Sequence, residues 1–133
     1  MSIDTENSLY WKLYAQINQK LHFHEEAEYG YKQILELGNY ELNIWLSRGD
    51  LLIKIGEFES AAYNFLQALK FHPEQPEIEY RLAGIYLSLN HNEKGVFYLK
   101  NALKHSTEYS FIINELFPEV SKSAIYKTYI EKD

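Results

Sequence analysis

The sequence predicts an all-α fold, a right-handed α-solenoid of three antiparallel helix pairs with capping helices. The first observation is a repeat: residue types recur every 34 positions, so that Trp11 returns as Trp45 and Leu35 as Leu69. The second is that apolar residues between the turns recur three or four positions apart, which is the spacing of one helix face. A fixed period of this length is typical of stacked helical units rather than of a single closed core. The other recurring sets are Ala15, Gly49 and Ala83; Ala27, Ala61 and Gly95; and Tyr31, Phe65 and Leu99.

Length and composition favour one packed domain over residues 1–133. The chain is 46% hydrophobic and carries a net charge of −6. That hydrophobic fraction suits a packed core, and the acidic balance disfavours nucleic acid or an anionic membrane as a partner. The sequence contains no cysteine, which excludes disulfides and thiol chemistry. Because the N-terminal residues contain no apolar signal core and no stretch reaches the length of a membrane span, we expect a cytoplasmic protein.

The first unit, about residues 8–41, is predicted to be a helix pair over 8–37. Asn7 or Ser8 can cap its first helix, because either side chain can accept from an N–H group of the first turn. A turn at 22–24 separates the two helices. Gly38 follows the second helix and is predicted to end it in a left-handed conformation. The apolar residues of the first helix are Leu9, Tyr10, Leu13, Tyr14, Ile17 and Leu21.

The second unit, about residues 42–75, and the third, about 76–109, repeat this plan with helix pairs at 42–71 and 76–105. Gly56 ends the first helix of the second unit. Pro73 stops the second helix, because proline disfavours helix in the residue before it. Pro76 suits the first position of the next helix. The small residues expected at close helix crossings are Gly49, Ala61 and Ala83.

Residues 110–133 depart from the repeat and are predicted to cap the stack. Pro118 falls inside what would be the first helix of a fourth unit, so we expect a short helix ending near Leu116 and a final helix from Pro118 to Ile130. The final helix has an apolar stripe and a polar opposite side, which is what covers the open end of a solenoid. The stripe comprises Val120, Ala124, Ile125, Tyr129 and Ile130.

The second unit carries the clearest motif, an ordered series of aromatic, small and large residues that ends in proline. Its places hold Trp45, Gly49, Leu52, Ala61, Phe65, Ala68 and Pro73. This pattern resembles the tetratricopeptide repeat, and the resemblance covers roughly 100 residues in one register. The first unit departs from the pattern at Asn18 and Asn39, and the third departs at Glu79 and Thr107. Because this repeat serves many unrelated partners, the resemblance implies a class of function, protein–protein interaction, and no particular partner.

In the tetratricopeptide family, the first helix of each unit lines a concave groove. The residues at those positions make the groove slightly cationic and partly apolar. The resemblance therefore implies that it receives a protein or peptide segment, either an acidic or C-terminal peptide or a short helix or extended segment. One subgroup of the family grips a C-terminal carboxylate with five polar residues. Glu77 reverses the charge of a lysine in that set, so we do not expect this clamp here. The groove residues selected on this basis are Lys12, Gln16, Leu46, Asp50, Ile53, Lys54, Tyr80, Arg81 and Leu87.

The expected function is that of a non-enzymatic scaffold or adaptor without a cofactor. The sequence has no nucleophile elbow, phosphate-binding glycine loop or HExxH helix. His22 and His24 are interpreted as turn residues rather than as metal ligands. Two alternatives stay open: a small bacterial secretion-type chaperone for an unstable client, and a homo-oligomerising module that uses the tyrosine-rich surface around Tyr29 and Tyr63. We expect a monomer or weak homo-oligomer, and the chain is also compatible with being a piece of a longer repeat protein.

Overall fold

The computed structural model describes residues 7–130, which form helices joined by short turns. The long helices are α1 (Ser8–Lys20), α2 (His24–Glu36), α3 (Leu42–Lys54), α4 (Phe58–Phe71), α5 (Pro76–Ser88) and α6 (Asn92–His105). A short 3₁₀ turn (Glu108–Ser110) then leads to α7 (Phe111–Leu116), α8 (Pro118–Ser121) and α9 (Ala124–Ile130). Within this range there is no strand, and no helix is long and apolar enough to cross a bilayer. The three predicted helix pairs are confirmed.

The long helices pack as adjacent pairs, with α1 against α2, α3 against α4 and α5 against α6. Successive pairs are joined where α2 packs against α3 and where α4 packs against α5. The buried apolar residues therefore form one core that extends along the array from Trp11 to Tyr126. Asn7 caps the N-terminus of α1. Its Oδ1 accepts a hydrogen bond from Leu9 N at 2.8 Å, which confirms the predicted cap.

The turn inside each pair repeats in backbone detail as well as in sequence position. His22, Gly56 and Asn90 are 34 residues apart and adopt left-handed backbone conformations, with φ of 62°, 84° and 63°. In each turn, the residue after the left-handed one donates its N–H to the carbonyl of the residue five positions before it, at 2.8 Å. This hydrogen bond satisfies a carbonyl that the helix end would otherwise leave open. Gly38 ends α2 with φ of 89°, as predicted.

Small residues lie where the helices of a pair cross closely. Gly49, Ala61 and Ala83 are all buried, as predicted. The ring of Phe65 fills the space beside Gly49, and a Cβ at that position would overlap the ring. Because protein interiors are close-packed, any side chain at Gly49 would have to push α4 away from α3.

The C-terminal region contains the predicted short helix but not the predicted continuous final one. Helix α7 ends at Leu116 as expected, whereas residues 118–130 form two helices, α8 and α9, instead of one. Ser123 lies at the break. Its hydroxyl donates to Val120 O at 2.6 Å and accepts from Tyr126 N at 3.3 Å. The serine thus satisfies the end of one helix and the start of the next, an alternative to helix continuation that serine side chains favour.

Helices α7, α8 and α9 cover the third pair. Helices α7 and α8 pack against α5, and Phe117, which joins them, is buried. The Phe117 ring fills the space beside Gly84, where a Cβ would overlap it. Lys100 Nζ lies 5.5 Å from the centre of the Tyr129 ring, which places α9 beside α6. The C-terminal region therefore covers α5 and reaches α6 at Lys100.

Candidate functional site

An open groove follows the first helices of the first two units. A cleft of about 410 Å³ lies between α1, α3, the start of α4 and α7. A second cleft, of about 510 Å³, continues along α1 and is lined by Gln16, Gln19 and Lys20. Gln19 lines both clefts, so we treat them as one surface and call it the α1–α3 groove. The residues of the first cleft are Gln19, Asp50, Leu51, Ile53, Lys54, Phe58, Glu115 and Leu116.

Four of the residues predicted from sequence line this groove. Asp50, Ile53 and Lys54 project from α3 into the first cleft, and Gln16 projects from α1 into the second. Ile53 is 7% exposed, so it contributes to the floor rather than to the rim. The structure therefore brings together predicted residues that lie more than 30 positions apart in the sequence.

Arg81 and Asp50, both predicted to face a ligand, bind each other. Arg81 Nε and Nη2 donate to Asp50 Oδ1 and Oδ2 at 2.6 and 2.9 Å. Arg81 Nη1 also donates to Glu77 O at 2.9 Å. This bidentate pair ties α5 to α3 and offsets both charges. At this point a ligand would meet a neutral, rigid wall.

The groove is less cationic than its residue content suggests. Lys12 Nζ lies 3.6 Å from Glu41 Oε2, and the charge of Arg81 is offset by Asp50. Lys54 shares its cleft with Glu115 of α7. Leu46, the remaining predicted residue on α3, is half-buried against the core. The exposed positive charge of the groove is therefore concentrated at Lys20 and Lys54.

Tyr80 and Leu87 are buried, contrary to their predicted place in an open groove. Tyr80 is 0% exposed, and its hydroxyl donates to Ser106 O at 2.6 Å. Leu87 is 7% exposed and packs against Gly95 of α6; it reaches only a separate cleft beside α8. The reason is that both side chains are taken up by packing inside the third unit, Tyr80 at the end of α6 and Leu87 against α6 itself.

Tyr31 of α2 organises the groove, although its position in the repeat predicted only a packing role. Its hydroxyl donates to Gln19 Oε1 at 2.7 Å. Burial raises the pKa of Tyr31, and a hydrogen bond with Ser47 opposes that rise. Because the carbonyl oxygen of Gln19 is engaged by Tyr31, its Nε2 is the group that can donate to a ligand.

The third wall of the groove, formed by Glu115 and Leu116 of α7, was also missed. The signal for it lies in the repeat register. Ile113 follows Trp45 and Glu79 at the 34-residue step, which places α7 in line with α3 and α5. Phe117 then stands where earlier units have small residues, and its ring lies against Gly84. A large side chain opposite a glycine could have indicated that α7 packs onto α5.

A second exposed surface lies on α2 and α4. The rings of Tyr40 and Phe71 are stacked with their centroids 4.2 Å apart. They line an open cleft of about 440 Å³ together with Trp45 and Tyr63. This surface, which we call the aromatic cleft, includes part of the tyrosine-rich region that the sequence offered as an alternative interface.

The histidine pair in the first turn does not form a ligand cluster. The rings of His22 and His24 are 6.1 Å apart between centroids and tilted by 66°. Within residues 7–130, no group of three or more His, Asp or Glu side chains is arranged to hold a metal ion. His22 lies in the turn that joins α1 to α2, and His24 is the first residue of α2.

Comparison with known proteins gives short similarities to two differently named proteins. No protein-family model matches the chain. Over 69 residues, 50% of this chain, it is 35% identical to the glycine–tRNA ligase beta subunit of Buchnera aphidicola subsp. Acyrthosiphon pisum (strain Tuc7). Over 103 residues, 75% of this chain, it is 25% identical to the Protein CTR9 homolog of Arabidopsis thaliana. These matches cover 10% and 9% of the two proteins. The chain thus spans about a tenth of the length of the curated relatives it matches.

Proposed function

We propose that this chain is a tetratricopeptide-type interaction module, a non-enzymatic scaffold or adaptor that binds a segment of another protein in the α1–α3 groove. The observation that carries the proposal is the cleft of about 410 Å³ whose lining comes from four helices, α1, α3, α4 and α7. Its lining combines apolar contact area with a few placed polar groups, the composition expected of a binding site. The 34-residue register supports the same family of folds.

The lining indicates what kind of segment fits. Ile53, Phe58 and Leu116 offer an apolar floor and wall. Gln19, held by Tyr31, offers an amide donor at one end. Lys20 and Lys54 are exposed at the edge. We infer a short segment with an apolar residue seated in the cleft and an acidic residue near the two lysines, because charges at a rim steer association while buried apolar contacts slow dissociation.

The proposal is tested by isolating a partner from the source cell and measuring its binding again with purified components. Calorimetry would compare the wild type with a Lys20→Ala/Lys54→Ala variant. We expect Kd to rise about three- to tenfold, mainly through a slower association and with reduced salt dependence. The matched control is Lys104→Ala, which removes an exposed lysine from α6 and should leave Kd unchanged.

A second variant tests the apolar part of the groove. Leu116→Ala removes a half-buried side chain from the cleft wall and should accelerate dissociation. Circular dichroism must show an unchanged helical content for the result to count. If neither Leu116→Ala nor the lysine pair weakens binding, the partner does not use this groove and the proposal is wrong.

A further inference from the structure

Helix α1 exposes a continuous apolar stripe. Its members are spaced four residues apart: Leu9, Leu13, Ile17 and Leu21 are 59%, 51%, 58% and 56% exposed. A four-residue spacing places side chains along one face of a helix. Single exposed leucines are ordinary on a protein surface, but a contiguous patch of this kind marks an interaction site. We call these four residues the α1 stripe.

The residues that correspond to the centre of this stripe are buried in the other two units. Leu51 and Ile85 stand 34 and 68 residues after Ile17, and they are 2% and 0% exposed. In those units a preceding helix, α2 or α4, packs against the first helix of the unit. The position of Ile17 is therefore one that a neighbouring helix covers in the other two units.

The outer part of the stripe is apolar in the first unit alone. The positions of Leu9 and Leu13 are occupied by Asn43 and Ser47 in the second unit. In the third unit they are occupied by charged residues, Glu77 and Arg81. The repeat fold therefore tolerates polar side chains at these positions. The leucines of α1 widen the apolar face beyond what packing within the array requires.

We propose that a second copy of this chain covers the α1 stripe, with the two α1 helices packed antiparallel across a two-fold axis. An axis between Leu13 and Ile17 places each of these residues opposite the other, and it places Leu9 opposite Leu21. The stripe is thus complementary to itself, as a two-fold interface requires. This inference is independent of the proposed groove function, which uses Gln16, Gln19 and Lys20 on a neighbouring face of α1.

The helix dipoles of α1 favour the antiparallel arrangement. In this arrangement the N-terminus of each α1, at Ser8, lies beside the C-terminus of the other, at Lys20. The positive end of one helix dipole is then next to the negative end of the other, which a parallel pair does not allow.

The size of the stripe predicts a weak dimer. Four half-exposed aliphatic side chains leave on the order of 400 Å² of apolar surface per copy. Covering the stripes of both copies, together with a polar rim, brings the interface to roughly 1,000 Å², the lower limit for a specific association. We therefore expect a dimer that dissociates at micromolar concentrations.

Analytical ultracentrifugation over a concentration series tests the proposal. The wild type should dimerise with a Kd between about 1 and 100 μM. A Leu13→Glu/Ile17→Glu variant should weaken the dimer at least about tenfold, because it buries charge in the interface. The control is Phe97→Glu, which places one glutamate on a 58% exposed position of α6 and should leave the dimer unchanged. Circular dichroism confirms that each variant is folded.

Engineered cysteines test the geometry directly, since the natural chain has none. In the antiparallel dimer, an equimolar mixture of Leu9→Cys and Leu21→Cys chains should form the mixed disulfide, and neither chain alone should cross-link. A disulfide requires Cα atoms within about 7 Å. One arrangement of the two helices therefore cannot give both the mixed disulfide and the cross-linking of each chain with itself. Equal cross-linking of each chain with itself would overturn the antiparallel arrangement. A wild type that stays monomeric to about 500 μM would overturn the dimer itself.

Discussion

Gly49 shows at the scale of one residue why the repeat needs its small positions. The Phe65 ring occupies the place that a side chain at Gly49 would take. Helices α3 and α4 therefore cross too closely for even an alanine at this position. Gly84 and Phe117 repeat this arrangement at the C-terminal end with different partners. In both cases a glycine on the first helix of a unit lies against an aromatic ring, which comes from α4 at Gly49 and from the link between α7 and α8 at Gly84.

Gly49→Ala is expected to destabilise the protein by about 1–3 kcal/mol. The added methyl group overlaps the Phe65 ring, and this overpacking outweighs the gain of up to about 1 kcal/mol in helix propensity. Urea unfolding of the single variants and of Gly49→Ala/Phe65→Leu measures the coupling. The smaller side chain at 65 should recover part of the loss. If the Gly49→Ala protein is as stable as the wild type, α3 and α4 do not cross closely at position 49.

Tyr80 predicts a pH dependence of stability. Burial, and secondarily the nearby Tyr126 and Glu79, raises the pKa of Tyr80 to about 12 from the 10.0 that is usual for tyrosine. The folded state therefore holds the phenolic proton more tightly than the unfolded state. This contribution is fully present below pH 10 and is lost as the pH rises through about 12.

Tyr80→Phe isolates that contribution. The variant should be about 1 kcal/mol less stable near neutral pH, because the carbonyl of Ser106 loses its hydrogen-bond donor. It should then lose less stability than the wild type between about pH 9 and pH 11.5, by on the order of 2 kcal/mol. Urea unfolding at the two pH values supplies the comparison. Identical losses in both proteins would show that Tyr80 ionises equally well in the folded state.

At the scale of the element, α7 decides the shape of the candidate site. It stands in the register of a fourth first helix but ends after six residues, and Phe117 then turns onto α5. It packs against α5 and supplies Glu115 and Leu116 to the groove. The segment is thus a cap for the stack and a wall for the site.

Phe117→Ala should cost about 3–5 kcal/mol, because it removes a buried ring and leaves a cavity beside Gly84. Thermal unfolding followed by circular dichroism measures the loss. Deleting residues 118–133 should be at least as damaging, since it uncovers α5 and α6 and a solenoid end needs a polar outer layer. If the truncated chain remains monomeric and equally stable, α8 and α9 are appendages rather than a cap.

At the scale of the whole molecule, short-range sequence patterns predicted the three helix pairs. Which residues are open in the candidate site depended on long-range packing, which those patterns do not contain. The three helix pairs follow from spacing and from turn residues such as Gly56 and Pro76, which act within their own neighbourhood. The break at Ser123 was missed because a serine hydroxyl competes with helix continuation only in a particular backbone arrangement. The burial of Tyr80 was missed because its hydroxyl bonds to Ser106 at the end of another helix, which no single helix pattern contains. The handedness of the solenoid stays a prediction.

The central claim is that a partner segment lies in the α1–α3 groove rather than in the aromatic cleft. Site-specific photocross-linking of the isolated partner tests it most directly, with the photoreactive residue placed at Lys54 in one protein and at Tyr63 in another. Both positions are exposed, and they line different clefts. We predict a covalent adduct with the partner from position 54 and none from position 63. An adduct from position 63 alone would contradict the account and assign binding to the aromatic cleft.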